Sequence, residues 1–365
     1  MKKVLFSATV DSHIFNFHIP DLIYLKENNF EVHVASNGTA DSPSIDFKYN
    51  VPFQRSPYKI DNIKAFKQLK KIIVNNDFDI IHCHTPMGGV ITRLAAISVG
   101  RKNTKIIYTA HGFHFFKGAP LINWLMYYPI ERWLARYTDL LITINKEDYR
   151  RALSFKSKKV KYLPGVGLDT KKFAGIEIDR DKKQIELEIP FNTLKLISVG
   201  ELNKNKNHEI IIKAIAKLGN PNISYLICGV GEKEEYLKKL SQSLGVSSQV
   251  KFLGYRSDIN EILKIVDVFV FPSFREGLSL ALMEAMGSSL PVICSDIRGN
   301  TDLIENEKGG YLVKPDDLNG FITSITKMID NPELRESMGA YNIKYIEKFD
   351  RKNVLEEIEK DVYLL

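Results

Sequence analysis

"VDVFVFPSFREGLSLALMEAMGSSLPVICSD", residues 266–296, reads as strand, loop, helix and second strand. Val268–Phe271 is an apolar run of strand length, and "PSFREG" forms its exit loop. A helical pattern runs from Leu278 to Met286, and Val292–Cys294 is apolar again. Strand-helix-strand alternation means parallel strands joined by a crossover helix. Two glutamates interrupt the apolar run, Glu276 in the exit loop and Glu284 in the helix. An unpaired carboxylate in such surroundings costs several kcal/mol or gives up its charge, so something polar is expected to meet both.

The same rhythm extends in both directions. Strands are expected at Val4–Ala8, Glu31–Ala35, Ile80–His84, Lys105–Thr109, Leu140–Ile144 and Lys159–Leu163. A second series follows at Leu194–Gly200, Ser224–Cys228, Val250–Leu253, Val268–Phe271, Val292–Cys294 and Gly310–Val313. Helical patterns separate them, which implies α/β architecture with doubly wound parallel sheets covered on both faces. The stretch "PGVGLDTKKFAGIEIDRDKKQ" between the two series has weak apolar periodicity and reads as a linker. The expected division is a Rossmann-like domain over 1–170, a linker over 171–190, a second domain over 191–345 and a C-terminal helix over 346–365.

The chain has 365 residues, 44% hydrophobic and 26% charged, which suits two globular domains and excludes a disordered chain. Cys83, Cys228 and Cys294 lie in or beside apolar runs without CxxC spacing, and read as reduced thiols of a cytosolic protein. The opening "MKKVLFSATVDSH" has too short an apolar run for a signal peptide. No window approaches the roughly 18 apolar residues of a membrane span. Net charge is +7, unevenly spread: residues 1–173 carry 26 Lys+Arg against 14 Asp+Glu, and the remainder is net acidic. The basic half is expected to face nucleic acid or an anionic membrane, or else to be a solubilising surface.

Open parallel sheets bind ligands beyond the carboxyl ends of their strands. Glu276 occupies that position, and Glu284 lies two helical turns beyond Gly277 on the same face. Backbone N–H groups at Gly277, Leu278 and Ser279 open the helix, where a phosphate approaches closely. A diphosphate there, with hydroxyls beside the carboxylates, satisfies every polar group, and a nucleotide-sugar has that layout. The competing reading pairs Glu284 with an arginine and leaves Glu276 exposed.

"REGLSLALMEAMGSSLPVICSD" resembles the Glu-x7-Glu motif of retaining glycosyltransferases of the two-domain GT-B architecture, family four. The likeness extends through "DIIHCHTP", "YTAHGFHFF", "YLPGVGLDTKKF", "VGELNKNKNHEIIIKAI" and "GGYLVKPDD", in the family's order. The opening "SATVDSHIFNFHIPDLIYLKENNFEVHVAS" is similar to a subgroup that builds capsular and exopolysaccharide repeats on a lipid carrier. The resemblance implies two Rossmann-like domains facing across a cleft, with the C-terminal helix returning to the first. It implies Glu284 on the donor ribose, Glu276 against the donor sugar and the backbone of Gly277, Leu278 and Ser279 on the diphosphate. Lys206 matches the lysine that neutralises the departing phosphates, and His111 the histidine that contacts the transferred sugar. Asp11 and His13 stand in the loop that borders the acceptor in relatives, with helix capping as their alternative role. The family's arginine after the loop glycine is replaced here by Glu201, so Lys204 or Lys206 is expected to serve the diphosphate. Metal-independent transfer is implied, with no cofactor and no metal ligands.

The remaining candidates are weaker. His82 and His84 share a strand face, but no third and fourth ligand stands at metal-binding spacing, so packing is expected. The Gly229–Gly231 turn is read as base or ribose contact, or as simple turn geometry. Asp316 and Asp317 read as a helix N-cap. Lys64, Lys67 and Lys71 form a stripe, and the segment "FHFFKGAPLINWLMYYPIERWLARY" mixes aromatics with arginines. Together they suggest reversible docking to anionic lipid at the inner face of the cell membrane. The expected enzyme moves a hexose or N-acetylhexosamine from a UDP-sugar to a lipid-linked saccharide, without a nucleic-acid partner. A UDP-sugar epimerase and a non-catalytic basic binding protein are the alternatives.

Overall fold

Apolar runs buried on both faces become the parallel strands of two sheets. The computed structural model describes residues 1–100 and 103–363, which divide into two units: Met1–Val166 with the stretch from Val354, and Gly167–Asn353. The first unit holds β1 (Lys2–Val10), β2 (Phe30–Asn37), β3 (Phe47–Asn50), β4 (Ile80–His84), β5 (Lys105–Ala110), β6 (Leu140–Thr143) and β7 (Lys159–Tyr162), in the order β3-β2-β1-β4-β5-β6-β7. The second holds β8 (Leu194–Val199), β9 (Ile223–Cys228), β10 (Val250–Gly254), β11 (Val268–Phe271), β12 (Val292–Ser295) and β13 (Gly310–Val313), in the order β10-β9-β8-β11-β12-β13.

Strand order reverses once in each sheet. β1 lies between β2 and β4, with Val4 opposite Ile80 and Ser7 opposite Cys83. β8 lies between β9 and β11, with Val268 opposite Leu196. These switch points open crevices beyond the strands' carboxyl ends, where ligands of doubly wound sheets bind.

Alternation along the strands divides each core between two faces. In the second unit Leu196, Tyr225, Val268, Val270 and Ile293 pack against Ile211, Ile215, Phe321 and Ile325. Ile197, Leu226, Phe269, Phe271, Val292 and Cys294 pack on the other face with Leu282 and Met286. The three cysteines are free, buried thiols, and burial pushes Cys83 up to about 12. No helix among the described residues is long and apolar enough to cross a membrane.

Three elements away from the candidate sites differ from the sequence expectation. β3 was not expected, because "FKYN" is a half-exposed edge strand without apolar alternation. The stretch 171–190, expected as a linker, carries helices Thr170–Ala174 and Arg180–Glu186. Phe173, Leu187 and Ile189 bury themselves in the second unit's core, and Lys183 holds Asp258 at 2.6 Å. At the C-terminus a helix at Arg351–Ile358 and a π-turn at Glu359–Tyr363 replace one continuous element. Tyr363 is buried in the first unit, its hydroxyl 2.8 Å from His82 Nδ1.

Candidate active site

In the second unit the exit loops of β8 and β11 are bound together at the switch point. Asn205 receives the Phe274 N–H on its carbonyl and donates its side-chain amide to the Arg275 carbonyl, at 2.8 and 2.9 Å. Asn207 donates to the carbonyls of Pro272 and Pro315. This clasp sets Lys206 Nζ 2.8 Å from Glu276 Oε1 and 4.5 Å from the Phe271 ring centroid. Both side chains are mostly buried, at 18% and 13% exposure, so the pair is a close ionic contact away from bulk water. Burial, aided by the Lys206 charge, holds His208 down to about 4.

Glu284 projects from the helix Leu280–Gly287, which starts two residues later than expected because Ser279 is its N-cap and accepts from Leu282 N. The N–H groups of Gly277, Leu278 and Ser279 find no protein acceptor among the described residues. The Glu284 carboxylate likewise has no hydrogen-bond partner among them, and the nearby Lys172 is its only resolved charge contact. Burial therefore dominates and raises its carboxyl to about 7. The competing reading, an arginine partner, has no counterpart among the described residues. Gly277 is pressed from behind by Gly299, where an added Cβ would stand 2.1 Å from the Gly277 carbonyl oxygen.

Gly229 and Gly231 let the exit of β9 lie against that of β8. A Cβ at Gly229 would meet the Gly200 carbonyl oxygen at 1.9 Å, and one at Gly231 the Leu202 carbonyl oxygen at 2.5 Å. Close packing of two backbones accounts for both glycines. Glu201 is exposed and accepts from Asn203 at 3.0 Å, and Lys204 is exposed. Lys206 is thus the cation of this loop that turns inward. Asp317 caps the helix Leu318–Asp330 by accepting from Gly320 N at 2.9 Å.

In the first unit the segment after β1 is helical from Asp11 to Phe17 rather than a loop. Asp11 is already engaged: its carboxylate accepts from Ser36 at 2.6 Å and Ala40 N at 2.8 Å, and pairs with Lys48 at 2.9 Å. Those contacts hold its carboxyl below the ordinary range against the opposing effect of burial. His13 Nε2 lies 3.1 Å from His111 Nε2, which lies 3.3 Å from His84 Nδ1. Burial keeps all three imidazoles neutral at pH 7, with His13 lowered to about 3. His82 is bonded to Thr109 and Tyr363, as expected of a packing residue. His114 lies against Tyr127 and borders a cavity of about 320 Å³ with Thr9, Ser12, His13, Arg55 and Thr85.

Two residues of this half escaped the sequence reading. His18 is buried and bonded to Asp21 at 2.8 Å; nothing in its neighbours marked it apart from a helix start. Thr85 stands at φ 63, ψ 152, a strained setting for a β-branched residue, held by its hydroxyl's contacts with Thr9. The "HTP" run after a strand was its only signal.

The chain is similar to known proteins over its full length. Residues 179–345 match the family described as "Glycosyl transferases group 1", and residues 3–145 match "Glycosyl transferase 4-like". EpsD of Bacillus subtilis (strain 168), a glycosyltransferase by name, is 40% identical over 99% of this chain and 96% of its own. An Escherichia coli protein named as UDP-Gal:alpha-D-GlcNAc-diphosphoundecaprenol alpha-1,3-galactosyltransferase is 30% identical over 84% of this chain and 80% of its own. Among solved structures, Anabaena Alr3699/HepE in complex with UDP superposes with a TM-score of 0.81 at 18% identity, covering 100% of both chains. Sucrose-phosphate synthase from Thermosynechococcus elongatus also scores 0.81, at 16% identity over 99% and 98%. These two bear on the fold alone.

Proposed function

The chain belongs to the family-four GT-B glycosyltransferases and is a glycosyltransferase; from that premise we propose how its residues divide the work. The second unit holds a UDP-sugar. Glu284 receives the ribose diol, and the N–H groups of Gly277, Leu278 and Ser279 meet the diphosphate at the helix start. Lys206 leaves Glu276 for the terminal phosphate as the anomeric bond breaks, and Glu276 turns to the sugar's hydroxyls. A preorganised cation and helix terminus aimed at the leaving oxygen are the largest catalytic terms in such a transfer. The Gly229–Gly231 turn lines the base and ribose end. The observation that carries this reading is Glu284, a desolvated carboxylate without a hydrogen-bond partner among the described residues, in the helix that follows the exit loop where Glu276 pairs with Lys206.

The first unit takes the acceptor, a lipid-linked saccharide of capsule or exopolysaccharide assembly, in the cavity beside His13 and Arg55. The diphosphoundecaprenol-linked substrate in the Escherichia coli relative's name supports this class. His111 meets the transferred sugar through Nδ1, since His13 and His84 occupy its other nitrogen. Retention at the anomeric carbon follows the family. The relatives named above lend the epimerase alternative no support. A panel of nucleotide-sugars with a short-chain lipid diphosphate saccharide tests the reading. UDP release that requires both partners is expected, and release without acceptor, or no turnover with any UDP-sugar, overturns it. Gly299→Ala is expected to raise the UDP Kd by about tenfold or more, because the new Cβ displaces the Gly277 carbonyl. Calorimetric titration with UDP checks this, and an unchanged Kd counts against the diphosphate assignment.

Membrane docking belongs to the same proposal. Tyr58, Ile60 and Ile63 are exposed beside Lys59, Lys64 and Lys67, and the helix Leu121–Leu134 exposes Leu121, Ile122 and Leu125. The Tyr58 hydroxyl reaches Met126 Sδ at 3.4 Å, so the two patches adjoin. Apolar tips ringed by lysines suit the cytoplasmic face of an anionic bilayer. Co-flotation with anionic vesicles that is lost in high salt is the expected result.

A further inference from the structure

Five of the chain's eight histidines crowd at the carboxyl ends of β1, β4 and β5, and four of them converge. One ring nitrogen from each of His13, His18, His84 and His111 lies within 4.8 Å of the other three. We propose that these four imidazoles form a binding site for a divalent transition ion, with zinc the best match. The sequence offered His82 and His84 without further ligands; folding supplies the others from elements far apart in the chain.

The geometry argues for an ion rather than a hydrogen-bond network. His111 Nε2 stands 3.1 Å from His13 Nε2 and 3.3 Å from His84 Nδ1. A zinc ion held tetrahedrally at about 2.0–2.1 Å places its nitrogen ligands about 3.3 Å apart. One proton on His111 Nε2 serves both contacts but leaves the buried His18 Nε2 without a partner, which a cation at the centre of the four would satisfy. His18 is oriented in the way a ligand is: Nδ1 is bonded to the buried Asp21 carboxylate at 2.8 Å, and Nε2 is buried with no partner. A carboxylate on the far nitrogen is the usual support of a metal-bound imidazole. A small cavity of about 20 Å³ is bordered by His18, His84 and His111, room for one ion or one water.

The site goes beyond the donor reading and uses no residue of the second unit. Its ion would pin the His13–His18 segment to the ends of β4 and β5, giving the acceptor half a fixed wall. His111 would be held through Nε2, with Nδ1 left for substrate.

The test is metal content and cobalt spectroscopy on the full chain. After chelation, adding Zn²⁺ should restore about one equivalent per chain and raise Tm, as a ligand of the native state does. Co²⁺ should give the intense visible bands of a tetrahedral nitrogen site. His18→Ala with His84→Ala should lower occupancy by at least about tenfold and abolish the Tm response. UDP titration of that variant, which reads the second unit, checks that it is folded and separates this test from that of the donor site. Wild-type protein that takes up no stoichiometric zinc, shows an octahedral cobalt spectrum, or has its zinc retained in the double variant overturns the proposal.

Discussion

Glu284→Gln is expected to stabilise the ligand-free protein at pH 8 by up to about 3 kcal/mol while severely impairing donor use. Burial raises this carboxyl from 4.5 to about 7, so the folded state holds the proton more tightly than the unfolded chain. Below pH 4.5 both states are protonated and the group costs nothing. The cost of its charge grows as pH rises from 4.5 and levels off above about 7. An amide carries no such charge, so the variant's Tm should exceed that of the wild type at pH 8 and match it near pH 4.5. In the proposed donor site this cost is offset when the charged carboxylate grips a ribose diol with two charge-assisted hydrogen bonds, each about 1.5–3 kcal/mol. Donor affinity should therefore rise with pH through about 7 in the wild type and stay flat in the variant. Glu284→Ala should lose about 10²-fold or more in kcat/KM. A glutamine variant less stable than the wild type at pH 8, or an alanine variant with near-normal turnover, would place this side chain outside the donor site.

Lys206→Ala is expected to lower kcat by about 10²–10³-fold, the usual cost of deleting one preorganised stabiliser of a developing anion. Stability should fall as well, by about 1–3 kcal/mol, because Glu276 is left at 13% exposure without its 2.8 Å partner. Adding Glu276→Ala removes the stranded carboxylate, so the double variant should recover Tm but not activity. That split separates the lysine's pairing with Glu276 in the empty protein from its proposed role of neutralising phosphate during transfer. Recovery of turnover with Tm would show that Lys206 acts only by pairing Glu276.

The strands were legible wherever side chains bury on both faces. "VFVF" at 268–271 occupies the span expected of it, because an apolar run of strand length has few other stable settings. β3 was illegible because Lys48 and Tyr49 are only half-buried between exposed ends and carry no apolar pattern. The 171–190 stretch misled for the opposite reason: its charged residues suggested a linker, yet Phe173, Leu187 and Ile189 anchor it in the core. Resemblance pointed to Asp11 at the acceptor border, but Ser36 and Lys48 already hold it. A side chain's partners across a sheet leave no mark on its own neighbourhood.

What the sequence determined by itself was local: the helical spacing that sets Glu284 two turns from Gly277, the glycines, and the polar loops that end each strand. What tertiary structure alone decided was which loops meet. Lys206 and Glu276 are seventy residues apart, His13 and His111 ninety-eight. They touch because β8 pairs with β11 and β1 lies one strand from β5. Parallel pairing brings the carboxyl ends of non-consecutive strands to one edge, and that order is set by the packing of whole faces, which no short stretch encodes.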